Sequence, residues 1–332
     1  IMNFMMIAIV WFSAHHIEAG NLQVGNMLAF LQYSMQAVSA FLVISIIFMN
    51  LPRAAVSAKR ITEVLETESQ IQDPVNPVKA PRRGGKVEFR NVTFTYPGAA
   101  EPVLHNISFI ALPGETTAFV GSTGSGKSTI INLIPRFYDA TNGQVLVDDI
   151  DVRAMKQKDL RERIGYVSQK AMLFSGTIKD NIIYGNPRAS QEEILQAAAT
   201  AQALEFIKEL EQTFDSSIAQ AGSNFSGGQK QRLAIARALA KNPELYLFDD
   251  SFSALDFKTD TALRHALKTE AKGKTVIIVT QRIATIMNAD KIIVIDKGEI
   301  VGQGTHKSLL RTCKTYREIA ASQLAPEELA RF

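Results

Sequence analysis

Cysteine is almost absent from this sequence of 332 residues, which contains a single cysteine, Cys313. One cysteine cannot form a disulfide within the chain or build a cysteine-based metal site, and this agrees with a reducing environment for the soluble part. The neighbouring residues His15 and His16 do not share a helix face and have no further ligand nearby in the sequence. We therefore expect no metal site at this pair.

Charge of one sign is also scarce. The formal net charge is only +3, and no run of lysine and arginine with interleaved aromatic residues occurs. These two properties argue against nucleic acid as a partner. The composition, with 46% hydrophobic and 21% charged residues, fits a globular chain or one that lies partly in a membrane.

Charged residues are missing altogether from 27–49, a stretch long enough to cross the roughly 30 Å hydrocarbon core of a bilayer as a helix. Residues 1–14 are equally uncharged but too few to cross, and no signal-peptide n-region precedes them. We expect them to end a preceding helix of a longer polypeptide, with a turn at 15–26. Lysine and arginine are absent from that turn but follow the apolar stretch, which predicts an outer turn and a cytoplasmic location after residue 50. The basic residues are Arg53, Lys59 and Arg60.

The apolar stretch carries a few polar side chains. Gln32 and Gln36 lie one helical turn apart on one face, and Ser39 lies close to that face. Such groups are costly in lipid, so this face should look into a cavity or towards a neighbouring helix. Plain contact between helices and a role in lining a substrate path both fit the pattern.

Proline and glycine mark the domain organisation. Pro52 is expected to end the membrane helix, after which a helical pattern resumes at 54–66. The breakers that follow indicate a linker: Pro74, Pro77, Pro81, Gly84 and Gly85. We therefore expect the end of a transmembrane domain at 1–66, a linker at 67–85 and a separate domain at 86–332.

Beyond the linker, short apolar strands alternate with helices, which is the pattern of an α/β domain. Continuous apolar strands of this kind are buried on both faces of a parallel sheet. A capping box formed by Ser190 and Glu193 indicates the start of one helix. Strands are expected at 87–89, 92–96, 107–110, 116–120, 143–147, 164–167, 245–248, 276–279 and 292–295, and helices at 190–203, 227–240 and 259–272.

A glycine-rich segment after the predicted strand 116–120 fits the phosphate-binding pattern G-x-x-x-x-G-K-[ST]. Its glycines let successive N–H groups point at one anion, and the helix that follows adds its dipole. Lys127 can then reach the β- and γ-phosphates of a nucleotide, and the Ser128 hydroxyl can bind Mg²⁺. A surface turn could fit the same pattern by chance. This phosphate loop consists of Gly121, Ser122, Thr123, Gly124, Ser125, Gly126, Lys127, Ser128 and Thr129.

Two carboxylates follow the buried strand predicted at 245–248. Asp249 stands at the carboxyl end of that strand, where α/β sheets bind their ligands. It is the expected partner of Mg²⁺, and Asp250 stands where a base would activate water. A solvated turn with two aspartates is the alternative.

The segment Phe225, Ser226, Gly227, Gly228 and Gln229 is the most specific string in the chain. With the phosphate loop before it and the two aspartates after it, it resembles the Leu-Ser-Gly-Gly-Gln signature of the ABC (ATP-binding cassette) ATPases. Ser226 and the glycine N–H groups at a helix start form a second anion site, and the missing side chains let a phosphate approach closely. In that family, the signature completes the ATP site of the other nucleotide-binding domain in a head-to-tail dimer.

The resemblance covers about 87–323 and implies an α/β P-loop NTPase fold: an ABC-type nucleotide-binding domain with an antiparallel β subdomain and a helical signature subdomain, preceded by the last part of an all-α transmembrane domain. It implies that Tyr96 stacks on adenine. Gln169 matches the glutamine that contacts Mg²⁺ and water and couples to the membrane helices. Ser253, Ala254, Leu255 and Asp256 match the D-loop, which faces the opposite site.

Two positions depart from the family pattern, and both belong to the same site. Asp250 stands in place of the catalytic glutamate, and Gln281 stands in place of the switch histidine. A carboxylate withdrawn by roughly an ångström can cost on the order of 10²-fold in rate. Glutamine can still donate a hydrogen bond to a γ-phosphate, but it does not titrate near neutral pH. We interpret the pair as a specialised, degenerate site; neutral drift is the alternative.

The resemblance therefore implies one subunit of a heterodimeric exporter that couples ATP binding and hydrolysis to transport. Its cofactors would be ATP and Mg²⁺. Its partners would be a second ABC exporter subunit, membrane lipid and the transported substrate, and its location the plasma membrane as a multi-pass protein with a cytoplasmic nucleotide-binding domain. Two alternatives stay open: an ATP-gated channel or regulator, and a soluble ABC ATPase, for which the apolar stretch 27–49 would make no sense.

Overall fold

The structure is a computed structural model that describes residues 2–81 and 83–324. The chain divides into two compact units, with the boundary between Gln70 and Ile71. The first unit is helical, and the second contains all the β-strands of the described residues.

The first unit consists of helix α1 (Met2–Glu18) and helix α2 (Val24–Leu65). The turn predicted at 15–26 is shorter in the structure, because His15 and His16 remain helical. The helix ends at Glu18, and Gly20 in the connection adopts a left-handed φ of 74°. Glycine reaches that conformation without a steric penalty, so it ends the helix where the preceding polar residues do not.

Helix α2 runs without interruption for 42 residues and contains Pro52. The break predicted at Pro52 is therefore wrong. Proline removes one backbone N–H, but the long flanking helical segments keep their own bonds, and membrane helices tolerate such a loss. At 1.5 Å per residue, α2 is about 63 Å long. Among the described residues, it is the one helix that is long and apolar enough to cross a membrane.

The second unit alternates strands and helices, as the sequence predicts. In chain order they are β1 (Val87–Phe94), β2 (Leu104–Ala111), β3 (Thr116–Val120), α3 (Lys127–Leu133), β4 (Asn142–Val147), β5 (Ile150–Asp151), α4 (Gln157–Glu162), β6 (Ile164–Val167), β7 (Gly176–Thr177), α5 (Ile178–Ile183), α6 (Gln191–Thr200), α7 (Leu204–Lys208), β8 (Ser217–Ile218), α8 (Gly227–Ala240), β9 (Leu245–Asp249), α9 (Phe257–Glu270), β10 (Thr275–Val279), α10 (Ile283–Ile286), β11 (Lys291–Asp296), β12 (Glu299–Gly304), α11 (His306–Thr312) and α12 (Lys314–Ala321).

Several predicted elements need correction at their ends. The strands predicted at 87–89 and 92–96 form one strand, β1, whose register shifts after Phe89 and again after Val92. The left-handed Asn91 (φ 49°) lies between these positions, so the irregularity broke the alternation in the sequence without ending the strand. The helix predicted at 190–203 ends at Thr200, and its predicted capping box between Ser190 and Glu193 is present.

The main sheet has six strands in the order β12-β11-β3-β10-β9-β6. All neighbouring pairs are parallel except β11 and β12, which are antiparallel. Alternate residues of β9 enter different cores: Tyr246 and Phe248 pack in one hydrophobic cluster, Leu245 and Leu247 in the other. The sheet is thus buried on both faces, which explains why its strands are continuously apolar.

A four-stranded antiparallel sheet, in the order β2-β1-β4-β5, packs on the face of the main sheet that carries Leu245 and Leu247. Phe89 stacks on Phe109 with ring centroids 4.5 Å apart, and Phe109 meets Phe119 of the main sheet at 5.0 Å. Phe119 stands just before the phosphate loop, so this aromatic contact ties the loop's entering strand to the smaller sheet. The predicted α/β fold with an antiparallel β subdomain is confirmed.

Most of the predicted linker 67–85 belongs to the second unit, which begins at Ile71. Gln157 N–H donates to an Asp73 carboxylate oxygen at 2.9 Å, and Val78 N–H donates to the Ala154 carbonyl at 2.8 Å. The guanidinium of Arg163 donates to the Pro81 carbonyl at 2.9 Å. These bonds join residues 73–81 to the surface formed by α4 and its neighbours.

Arg163 anchors this connection from inside the domain. It is almost fully buried and pairs with the buried carboxylate of Asp148 and, at 2.7 Å, with Glu244. Asp148 also accepts the backbone N–H of Lys86 at 2.9 Å. A buried charge is tolerated when it is paired and hydrogen-bonded, so this cluster fixes the chain where it enters β1.

Candidate nucleotide site

The phosphate loop, residues 121–129, connects the end of β3 to α3, as the sequence predicts. Gly121 has no room for a side chain, because a Cβ there would collide with the Ile295 carbonyl oxygen. Gly126 has a φ of 98°, and its Cβ would lie 2.6 Å from a methyl carbon of Leu104. The two glycines therefore let the backbone curl tightly against β2 and β11.

Lys127 begins α3 and is buried. Its Nζ donates to the carbonyl oxygens of Gly121 at 2.9 Å and Ser122 at 2.6 Å. Burial lowers the pKa of Lys127, and the nearby carboxylates of Asp250 and Asp249 oppose that shift. The ammonium is thus held inside the loop, where an entering phosphate would meet it.

Ser128 and Asp249 form the pair expected to hold Mg²⁺. Ser128 Oγ donates to Asp249 Oδ1 at 2.9 Å, across 121 residues of sequence. Strand β9 delivers Asp249 at its last position, where the residue is 95% removed from solvent. A hydroxyl and a carboxylate are hard oxygen donors of the type that Mg²⁺ prefers, so the residues present fit this ion.

Burial raises the pKa of Asp249, the hydrogen bond from Ser128 lowers it, and the charge of Asp250 raises it further. Ionisation of Asp249 therefore costs folding free energy in the nucleotide-free protein at neutral pH. At low pH, Asp249 is protonated and the folded protein does not bear this cost. The stability of the folded protein therefore falls as the pH rises through the folded-state pKa of Asp249.

We expect Asp249→Asn to raise the melting temperature of the nucleotide-free protein at pH 7 and to abolish further stabilisation by Mg²⁺ with ATP. The gain should be smaller at the lower pH, because the raised pKa leaves a larger share of Asp249 neutral in the native protein. Thermal melts at pH 5 and pH 7 measure this. Asp215→Asn, which changes an exposed carboxylate, is the control, and an equal gain in both variants would contradict the prediction.

Asp250 follows β9 in a left-handed conformation, with a φ of 44°. Its carboxylate accepts from Thr280 Oγ1 at 3.3 Å and from Gln169 Nε2 at 3.4 Å. Both distances are long, so these contacts are weak. Gln281 lies opposite the phosphate loop, and Thr123 Oγ1 is 3.5 Å from its Oε1.

These side chains surround a cavity of about 370 Å³. It is lined by Val103, Thr123, Gly124, Gly126, Lys127, Ser128, Thr129, Gln169, Asp249, Asp250, Val279, Thr280 and Gln281. The structure thus brings together the predicted residues of the phosphate loop, the two aspartates, Gln169 and Gln281. The remaining loop residues do not line the cavity but accept hydrogen bonds from Lys127 Nζ: the carbonyls of Gly121 and Ser122, and Ser125 Oγ.

Three lining residues were not predicted. Thr280 and Val279 precede Gln281 directly, so the end of the strand predicted at 276–279 was an available signal. Val103 lies before β2, in a loop without a recognisable pattern. Its carbonyl is 3.3 Å from the position of a Cβ on Gly126, so only the folded chain reveals that it borders the loop.

Tyr96 lies outside the lining of this cavity. Its ring makes edge contacts with Phe94 at 4.8 Å and Tyr138 at 5.2 Å, and its hydroxyl is 3.0 Å from Thr129 Oγ1. The hydroxyl therefore links the tyrosine to the phosphate loop. Stacking on adenine stays a prediction.

The signature segment, residues 225–229, also lies outside the cavity lining. Ser226 caps α8 and forms a capping box with Gln229, whose Oε1 accepts the Ser226 N–H at 2.9 Å. Ser226 and Gly227 are exposed, whereas Phe225 is buried against Phe206. A second helix start with an exposed glycine thus faces solvent, outside the cavity that the chain's own phosphate loop lines.

A phosphate loop at the end of a parallel strand, facing an aspartate at the end of a neighbouring strand, defines a P-loop NTPase domain. Residues 104–253 match the ABC transporter family. The chain carries the nucleotide-binding domain of that family and belongs to the ABC transporter ATPases.

Relatives and solved structures extend the likeness over nearly the whole chain. An ABC transporter ATP-binding protein of Mycobacterium tuberculosis is 48% identical over 97% of this chain and 56% of its own length. An ATP-dependent lipid A-core flippase of Syntrophus aciditrophicus is 36% identical over 97% of this chain and 53% of its own length. A bacterial Atm1-family ABC exporter with ATP bound is 34% identical, with a TM-score of 0.81 over 98% of this chain and 57% of that one.

The chain thus spans little more than half the length of the relatives it matches. It joins a helical unit and an ABC nucleotide-binding domain in one polypeptide, which is the arrangement of an exporter-type subunit.

Proposed function

We propose that this chain is part of a subunit of an ATP-driven exporter, in which ATP binding and hydrolysis drive a substrate across the membrane. The contact between Ser128 and Asp249 beside the buried Lys127 carries the proposal. Lys127 can bind phosphate, and Ser128 with Asp249 can bind Mg²⁺. The fold brings these groups together in one cavity, although Asp249 lies more than a hundred positions after the other two. ATP with Mg²⁺ is the ligand that needs both.

The membrane part of the proposal rests on the first unit. Helix α2 has the length and hydropathy to cross a bilayer, and its basic residues follow the apolar stretch. We assign 1–66 to the end of a multi-pass domain in the plasma membrane, 67–85 to a linker, and 86–332 to a cytoplasmic nucleotide-binding domain. The flippase among the relatives is named for moving a lipid, which supports transport as the process.

The chain's own ATP site is proposed to hydrolyse slowly. Asp250 is one methylene shorter than the family's glutamate, and its carboxylate makes only long contacts with Thr280 and Gln169, which also line the cavity. Gln281 offers an amide where the family has histidine. We therefore assign ATP binding to this site, and assign faster turnover to a second site built from a non-identical partner and this chain's signature segment.

Lys127→Ala should weaken binding of ATP at this chain's own site by at least tenfold, because a charge-assisted bond to phosphate is lost. The affinity of the intact protein in detergent for MgATP, measured by calorimetry, tests this. Lys241→Ala is a matched control, since the Lys241 ammonium also donates to two backbone carbonyls, Arg161 at 2.6 Å and Ile164 at 2.9 Å. Unchanged ATP occupancy in Lys127→Ala would refute the assignment of the site.

A further inference from the structure

Gln323 lies just after α12 and binds the backbone of the loop that carries Gln281. Its Nε2 donates to the Gln281 carbonyl at 2.7 Å, and its Oε1 accepts the Ile283 N–H at 2.8 Å. Both distances are those of good N–H···O hydrogen bonds. One side chain thus holds the peptide groups on both sides of Arg282, about forty residues earlier in the chain.

The two bonds suit the chemistry of the switch loop, residues 280–283. Helix α10 begins at Ile283, and its N-cap Arg282 makes no side-chain capping bond. The first N–H groups of a helix have no partner inside it, and the Oε1 of Gln323 accepts one of them. A glutamine amide offers a donor and an acceptor side by side, so it can bind the neighbouring carbonyl at the same time.

The position of Gln323 is fixed from the core. Tyr316 of α12 is fully buried, and its hydroxyl lies 2.7 Å from His306 Nδ1. The N–H groups of Gln323 and Leu324 both donate to the Ala320 carbonyl, at 3.0 and 2.9 Å. The end of α12 is therefore packed on the core and hydrogen-bonded to the residues that follow it, and the Gln323 side chain reaches the switch loop from there.

The switch loop in turn contacts the cavity and the D-loop, residues 253–256. Thr280 Oγ1 donates to the Asp250 carboxylate at 3.3 Å, and the Arg282 guanidinium donates to the Ser253 carbonyl at 2.7 Å. The Gln281 carbonyl is bound by Gln323, and the Gln281 side chain projects into the cavity towards Thr123. A change at Gln323 would therefore reach the nucleotide through Gln281.

We propose that Gln323 is a positioning residue for Gln281, and that it sets this chain's preference for ATP over ADP by aiming the Gln281 amide at the γ-phosphate. The inference rests on the proposed function, because it requires a nucleotide on the phosphate loop. The alternative role is that of a simple anchor for the chain end. An anchor would affect stability, but it would not distinguish two nucleotides that differ only in the γ-phosphate.

The test compares the affinities for MgATP and MgADP of the intact protein in detergent, by calorimetry. Gln323→Ala should weaken MgATP about three- to tenfold, the worth of one hydrogen bond, and leave MgADP within about twofold. Gln323→Glu should act similarly, because a carboxylate cannot donate to the Gln281 carbonyl. Ser322→Ala is the control, since Ser322 Oγ donates only locally to the Ile319 carbonyl at 2.7 Å.

A double-mutant cycle shows whether the effect passes through Gln281. In a Gln281→Ala background, Gln323→Ala should have no further effect on the MgATP affinity. Additive losses would mean that the two residues act independently and would overturn the proposal.

The outcomes separate this inference from the proposed function. If the unmodified protein binds neither nucleotide, both fail. If it binds MgATP, the proposed site stands, and the inference is overturned when Gln323→Ala lowers both affinities equally or changes neither. Loss of MgATP affinity alone, absent in Ser322→Ala and in the Gln281→Ala background, supports it.

Discussion

Gly227→Asp in this chain should abolish most of the ATPase activity of the assembled transporter, whereas Asp250→Ala should have a much smaller effect. In the proposed head-to-tail pair, the signature segment serves the opposite ATP, which lies in the competent site. A carboxylate at position 227 would occupy the place where the γ-phosphate must bind. The two negative charges would then repel each other at close range. Ser226→Ala should act in the same direction, because it removes the hydroxyl from the anion site.

The surroundings of Gly227 allow its substitution to be interpreted directly. A Cβ at Gly227 meets nothing within 4 Å, so the first atom of a substituted side chain fits without moving the helix. Gly227→Ala is the matched control, since it adds a methyl group without charge and should retain clearly more activity than Gly227→Asp. Ser226→Ala also removes the capping bond to Gln229, which is worth about 1 kcal/mol, so melting curves should accompany the rates.

The same experiment tests the heterodimer. A homodimer would combine two sites that each carry Asp250 and Gln281, and would leave both intact signatures opposite weak catalytic residues. The chain is purified with and without the product of its genomic neighbour, and ATP hydrolysis is measured. Brisk turnover by the chain alone would refute the proposed pairing and would also remove the reason for a small effect of Asp250→Ala.

The site was predictable from the sequence where its signals are local. The phosphate loop needs glycines at fixed spacing between a strand and a helix, and β3 has the predicted bounds. Helix α8 likewise begins and ends as predicted, because Ser226 caps its start and an apolar face continues to Ala240. The contact between Ser128 and Asp249 followed from the rule that parallel strands present their carboxyl ends at one edge.

Other features depend on contacts that no short window contains. Strand β12 alternates exposed and half-buried residues and contains two glycines, so only its pairing with β11 identifies it. Helix α10 is a single turn, held by a glutamine 40 residues away. Pro52 was a local signal that misled, since a breaker in the sequence need not break a long helix.

Restoring the family residues should raise turnover at this chain's own site. In Asp250→Glu, the added methylene carries the carboxylate about an ångström further towards the cavity, where a water attacking the γ-phosphate would stand. In Gln281→His, the imidazole replaces an amide that cannot titrate near neutral pH. A positioned general base is typically worth about 10²–10⁴-fold, so the double variant should recover a gain within that range.

The measurement needs the opposite site silenced, and Ser226→Ala should do this, because in the proposed pair that serine serves the other ATP. In this background, residual hydrolysis reports the chain's own site, and each single substitution serves as a control for the pair. Turnover in variants with Gln281→His should fall as the pH drops below about 6.5, the ordinary histidine pKa, and this decline should be absent with Gln281. Equal rates at both native sites, or a double variant that binds ATP yet gains no turnover, would show that Asp250 and Gln281 do not limit hydrolysis.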